Sequence, residues 1–260
     1  MVRSHNMVRI LILRTAGTNC DLETEWACKL AGANPVRIHI NEITSGREKI
    51  LDFDVLLIPG GFSYGDDLGA GKVLANELIL KCGEQIERFA EKKRPIIGIC
   101  NGFQVLVKAG LLPVWKRRAA TLVWNDSGRF EDRWVYLRVE KSISPFFYNL
   151  PEIIRMPVAH AEGKFVLRSE TALKKIKRNK QIVLKYVDLS GEAGGYPCNP
   201  NGSVDGIAGV CNETGLIVGM MPHPERAVLE IHTPDWHRRP AQGEFSFGYQ
   251  FFKNVIKYCS

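Results

Sequence analysis

The chain is 260 residues long, 45% hydrophobic, and carries a formal net charge of +7, which suits one α/β domain with a substantial core and a basic, solvated surface. The basic residues are dispersed apart from one run at residues 174–180, a pattern that argues against a nucleic-acid-binding face. No stretch approaches the roughly 20 apolar residues of a membrane helix, and residues 1–6 lack the apolar core of a signal peptide. The seven cysteines, Cys20, Cys28, Cys82, Cys100, Cys198, Cys211 and Cys259, form an odd set without a C-x-x-C pair. That excludes a disulfide framework or a zinc ribbon and points to a reducing cytoplasm.

Met1-Val2-Arg3 is echoed by Met7-Val8-Arg9, so residues 1–6 read as an N-terminal extension and residues 7–260 as the domain. The first hundred residues alternate between two periods. Residues 9–13 read as a strand, 21–30 as a helix that Asp21 is placed to cap, and 35–40 as a second strand. A third strand, 54–58, stops at Pro59-Gly60-Gly61, helical spacing runs from 76 to 92, and a fourth strand occupies 95–99. Strands separated by helices imply a mostly parallel sheet, whose ligands sit at the carboxyl ends of the strands. After a helix at 101–110 the pattern changes to short strands at 120–124, 134–139, 164–167 and 182–187, with a helix near 169–178; this predicts an antiparallel extension on the same core. Residues 191–206 read as a loop, 207–210 and 216–220 as a hairpin, and 242–258 as a closing helix.

Gly98-Ile99-Cys100-Asn101-Gly102-Phe103-Gln104 places one cysteine between glycines where a strand turns sharply into a helix. Such an elbow exposes a nucleophile at the top of a sheet, and the N–H groups of the following helix face its thiolate. Far along the chain, Pro222-His223-Pro224-Glu225 offers a histidine with a carboxylate two residues on. Cys100, His223 and Glu225 together read as a catalytic triad; singly, each is more often structural. The other six cysteines read as core.

With both motifs in hand, the chain resembles the class I glutamine amidotransferases, and within them the glutaminase subunits of phosphoribosylformylglycinamidine synthase. The narrower resemblance rests on Gly17-Thr18-Asn19-Cys20-Asp21, Pro59-Gly60-Gly61-Phe62-Ser63-Tyr64-Gly65-Asp66, Asn125-Asp126-Ser127-Gly128-Arg129-Phe130-Glu131 and His160-Ala161-Glu162-Gly163, in the same order as in that subunit and over nearly the whole chain. It implies a single α/β domain with a flavodoxin-like, mostly parallel central sheet flanked by helices. It also implies hydrolysis of L-glutamine to glutamate through a thioester on Cys100. The ammonia would pass to a separate synthetase subunit that uses ATP and magnesium to convert formylglycinamide ribonucleotide to the amidine in purine biosynthesis. A small third subunit would help assembly, and no cofactor or metal is expected on this chain. Amide hydrolysis needs oxyanion donors, for which the backbone N–H groups of Gly61 and Asn101 are the candidates. The resemblance further places Gln104, Asn125, Ser127, Arg129, Phe130 and His160 near the glutamine pocket. Departures at residues 1–6, 174–203 and 232–242 concern partner docking.

Three other patterns carry less. Residues 65–72 look like a phosphate loop, but the glycine spacing is off by one and Val73 stands where a magnesium-binding hydroxyl belongs; they read as a loop facing the active site. His232, Asp235 and His237 read as a surface loop rather than a metal site, and the 174–180 run as the outer face of a helix. Two rival functions stay open on the sequence: a stand-alone γ-glutamyl cysteine hydrolase, and a non-catalytic regulatory subunit of the same fold.

Overall fold

The computed structural model describes residues 7–115, 119–238 and 243–260; the extension at 1–6 and the end of the 232–242 segment lie outside them. Nine strands form one sheet. Its parallel half consists of β1 (Arg9–Arg14), β2 (Asn34–His39), β3 (Val55–Ile58), β4 (Ile96–Ile99) and β11 (Ile217–Met220), in the order β2-β1-β3-β4-β11. Every residue of β3, β4 and β11 is buried, as expected of parallel strands covered on both faces. The helices that cover them include α1 (Asp21–Leu30), α3 (Lys72–Glu91), α4 (Asn101–Lys108) and α6 (Phe247–Cys259), whose Ala27, Leu78, Phe103 and Phe251 are fully buried.

The sheet continues as an antiparallel half through β10 (Ile207–Cys211), β9 (Ile182–Val187), β6 (Glu131–Val139) and β7 (Ile153–His160). The antiparallel pair β5 (Ala120–Val123) and β8 (Lys164–Leu167) forms a separate ribbon. α2 (Ile40–Thr44) follows β2, and α5 (Glu170–Arg178) follows β8. Only Ile176 of α5 is buried, so its lysines lie on a solvated face, as the sequence predicts.

Several boundaries differ from expectation for local reasons. α3 starts at Lys72 rather than 76 because Gly71, at φ 72°, ends the preceding turn in a left-handed conformation. The second strand stops at His39, whose Nδ1 accepts from the Asn41 N–H at 3.2 Å and so starts α2. Asp21 does not cap α1: Cys20 occupies the N-cap position without a side-chain cap, and Asp21 pairs with Arg37 at 3.0 Å. The closing helix begins at Phe247 after Ser246. Strand β7 has no counterpart among the strands expected from the sequence. Among the described residues no helix is long and apolar enough to cross a membrane.

Candidate active site

Three adjacent parallel strands end at one crevice. β3 is in register with β4, Ile58 beside Gly98, and β4 with β11, Ile99 beside Met220. The segments that leave their carboxyl ends therefore bring Gly60-Gly61, Cys100 and His223 together. The Cys100 N–H donates to the Met220 carbonyl at 2.8 Å, which closes the elbow against the strand carrying the histidine. Cys100 itself has φ 50° and ψ −104°, a strained conformation of the kind that nucleophile elbows hold. The turn tolerates no side chain at Gly102, where a Cβ would lie 1.9 Å from the Ile58 carbonyl oxygen.

The antiparallel half curls back so that β7, at the far edge of the sheet, forms a wall of the same crevice. Cys100 Sγ lies 3.5 Å from the Ala159 carbonyl oxygen, and the His223 N–H donates to the Pro157 carbonyl at 2.9 Å. The β5–β8 ribbon pairs Val123 with Lys164 and so sets the 125–130 and 160–163 segments side by side.

His223 and Glu225 are both about 1% exposed, and Nδ1 of the histidine lies 2.6 Å from Oε1 of the glutamate. Burial works against the imidazolium, but Glu225, Cys100 and Cys20 outweigh it and hold the His223 pKa well above its ordinary value. Nε2 of His223 has no partner among the described residues, so it is the nitrogen open to a nucleophile or substrate. Cys100 is 5% exposed.

The candidate oxyanion donors follow the neighbouring strands β3 and β4. Asn101 opens α4, where a first-turn N–H has no intrahelical acceptor, and Gly61 follows β3. The Asn101 side chain ties the two together: its Oδ1 accepts from the Ser63 N–H at 3.2 Å, and its Nδ2 donates to Asp66 at 3.1 Å and to Gln104 Oε1 at 2.9 Å. Gln104 Nε2 donates in turn to the Glu162 carbonyl at 2.7 Å, and the Glu162 carboxylate accepts from the Ala70 N–H at 3.2 Å. The glycine-rich 65–72 segment thus belongs to the wall of the crevice.

The residues placed near glutamine by resemblance fall into two groups. Gln104, Asn125 and His160 are buried and act as braces. Asn125 Oδ1 accepts from the Gly163 N–H at 2.9 Å and lies 3.1 Å from His160 Nδ1, while its Nδ2 donates to the carbonyls of Arg129 and His160. Since that oxygen is an acceptor, His160 carries its proton on Nδ1 and presents Nε2 as a bare acceptor, buried and without a partner among the described residues. Burial foremost, with the charge on His223, pushes the His160 pKa down to about 3, so the ring is neutral. Ser127, Arg129 and Phe130 lie outward. Ser127 and Arg129 line a cleft of about 500 Å³ shared with Tyr196 and Asn199, and the Phe130 ring lies 6.3 Å from that of Phe62, next to Gly61.

Cys20, read as core from the sequence, belongs to this site: its Sγ, a His223 nitrogen and a Glu225 oxygen lie within 4.8 Å of one another. The Arg226 guanidinium donates to that sulfur at 3.2 Å, so this group already has a cation beside it. Elsewhere, Asp235 pairs with Arg155 at 2.7 Å and His232 packs on Trp26.

Residues 7–259 match the family described as CobB/CobQ-like glutamine amidotransferase domain. The phosphoribosylformylglycinamidine synthase subunit PurQ of Dehalococcoides mccartyi is 46% identical, over 97% of this chain and 98% of the relative. The subunit of that name from Archaeoglobus fulgidus is 39% identical, over 96% and 97%. A chain in the structure of PurLQS from Thermotoga maritima superposes with a TM-score of 0.75 at 33% identity, covering 98% of this chain and all of that one. A glutamine amidotransferase from Thermotoga maritima, at 19% identity and a TM-score of 0.51 over 90% of this chain and 82% of that one, shares the fold. The chain belongs to the CobB/CobQ-like glutamine amidotransferase family and, within it, to the PurQ subunits of phosphoribosylformylglycinamidine synthase.

Proposed function

We propose that this chain is the glutaminase subunit of phosphoribosylformylglycinamidine synthase, with Cys100, His223 and Glu225 as its catalytic triad. The observation that carries the chemistry is the convergence of Cys100 and the buried His223–Glu225 pair at the ends of β4 and β11. His223 takes the Cys100 proton, and the sulfur attacks the side-chain carbonyl carbon of glutamine. The N–H groups of Gly61 and Asn101 receive the oxyanion, each donor being worth roughly 2.7–4 kcal/mol in sites of this kind. Collapse of the tetrahedral intermediate breaks the C–N bond; the imidazolium returns its proton to the departing ammonia and a γ-glutamyl thioester remains. Water then attacks the thioester, His223 accepts its proton, and glutamate and the thiol are released.

The ammonia passes to a synthetase subunit, where ATP and magnesium drive amidine formation; this chain supplies neither. A small third subunit completes the assembly. Ser127, Arg129 and Phe130 line the entry to the glutamine pocket, behind which Gln104, Asn125 and His160 brace its wall.

The test is Cys100→Ala in the reconstituted synthase. Glutamine-dependent amidine synthesis is expected to vanish while added ammonia still supports it, and persistence of the glutamine-dependent reaction would overturn the assignment. Glutaminase activity equally high without the synthetase would favour a stand-alone γ-glutamyl hydrolase.

A further inference from the structure

We propose that Cys20 is a positioning residue for the triad, holding the His223–Glu225 pair against Cys100 through its contact with Arg226; the inference rests on the glutaminase reading. Cys20 stands at the head of α1 yet does not cap the helix. Its side chain instead enters the site, where Sγ accepts from Arg226 Nη2 at 3.2 Å and the thiol donates to Asn19 Oδ1 at 3.2 Å. The same guanidinium reaches Glu23 Oε1 at 3.1 Å from Nη2 and 3.3 Å from Nε. Glu23, Arg226 and Cys20 therefore tie α1 to the Pro224–Arg226 turn, which carries Glu225.

On its other side the sulfur meets Gly60. A Cβ at Gly60 would lie 3.0 Å from Cys20 Sγ, 2.8 Å from His223 Cε1 and 3.5 Å from Cys100 Cβ. Two cysteines and the imidazole thus crowd one glycine. The Cys20 N–H also donates to the Gly60 carbonyl at 3.3 Å, so the residue grips both the candidate oxyanion turn and the histidine. Cys28 and Cys211 show the contrast: both are fully buried in the hydrophobic core, whereas Cys20 is bound by a guanidinium.

The charged and titratable groups around His223 are Glu225 and Arg226 on its own turn, Cys100 on the elbow, Cys20 before α1 and His160 on β7. Burial keeps the Cys20 thiol protonated, its pKa raised although the neighbouring imidazole and guanidinium pull it the other way. Cys20 supports the imidazolium, so its loss lowers the His223 pKa and displaces the pH profile of glutamine hydrolysis towards acid.

The experiment compares Cys20→Ala and Cys20→Ser in the assembled synthase, with glutamine and with ammonia as nitrogen source. Cys20→Ala is expected to lower glutamine-dependent kcat by about 10- to 100-fold, the scale of a small misplacement of reacting groups. KM should stay nearly constant, the pH profile should move to acid, and ammonia-dependent synthesis should be unchanged. Cys20→Ser keeps an acceptor for Arg226 and is expected to recover most of the loss. Should Cys20→Ala not fold, Arg226→Gln leaves the thiol in place but removes the guanidinium that bridges it to Glu23, and is expected to lower kcat with KM nearly constant. Wild-type kcat and pH profile in Cys20→Ala, or in Arg226→Gln where that variant stands in, would overturn the proposal, as would a serine variant no better than alanine. A wild-type synthase that uses ammonia but not glutamine would instead fail the glutaminase reading, and the inference with it.

Discussion

Nδ1 of His223 and Oε1 of Glu225 are 2.6 Å apart in a setting almost closed to water. The carboxylate fixes which nitrogen carries the proton and leaves Nε2 without a partner among the described residues, the arrangement that the proposed triad requires. Glu225→Gln preserves the shape and removes the charge. Glutamate release by the assembled synthase is expected to fall about 10²–10⁴-fold, and a loss below tenfold would dismiss Glu225 from the triad.

The same pair makes stability depend on pH. The folded His223 pKa is raised by Glu225 and Cys100 against the opposing effect of burial. Its contribution is therefore fully present below the unfolded value of about 6.5 and is lost as pH rises through the folded pKa. Thermal melts across that range should show the gap between wild type and Glu225→Gln widest in acid and narrowing towards alkaline pH.

His160 acts with the opposite sign. Its pKa is pushed down to about 3 by burial and by His223, so between that value and about 6.5 the unfolded chain binds a proton that the folded chain does not. Stability should rise with pH over this window, by up to about 1.4 kcal/mol per pH unit from this residue. His160→Gln removes the titration, and urea unfolding at several acid pH values should show a shallower slope for the variant.

Gly102 and Gly128 separate steric need from conformational preference. A Cβ at Gly102 meets the Ile58 carbonyl at 1.9 Å, whereas at Gly128, φ 63°, nothing lies within 4 Å. Gly102→Ala is expected to cost more than about 4 kcal/mol or to prevent folding, and Gly128→Ala only about 1 kcal/mol. Urea midpoints for the two variants decide it.

The parallel half and the convergence of Cys100, His223 and Glu225 were legible because their signals are local. Apolar runs ending in glycine mark β3 and β4, and the elbow and the Pro-His-Pro-Glu segment carry their chemistry within a few residues. Strand β7 was not legible: Pro157 interrupts its apolar run, and a proline normally argues against a strand. It is tolerated here because β7 is an edge strand, and the Pro157 carbonyl faces His223. Cys20 was hidden for a different reason. A buried cysteine is usually core, and only the fold brings Arg226, more than two hundred positions later, to its sulfur. The brace formed by Asn101, Gln104 and Glu162 is equally nonlocal, since it joins the start of α4 to the turn after β7.

Gln104 tests that brace. Its amide satisfies Asn101 on one side and the Glu162 carbonyl on the other, and its side chain is buried. Gln104→Leu leaves both partners short of a hydrogen bond, at a cost of about 1–3 kcal/mol read from chemical denaturation. Unchanged stability would mean that the glutamine is held by something other than these two bonds.

The most direct test of Cys100 as an activated nucleophile in a glutamine pocket is peptide-mapped mass spectrometry after exposure of the assembled synthase to an electrophilic glutamine analogue, with and without excess glutamine. Modification confined to Cys100, with Cys20 and the other cysteines untouched, and suppressed by glutamine, is the expected result. Labelling that glutamine does not suppress, or that falls on other cysteines while Cys100 stays unmodified, would contradict it.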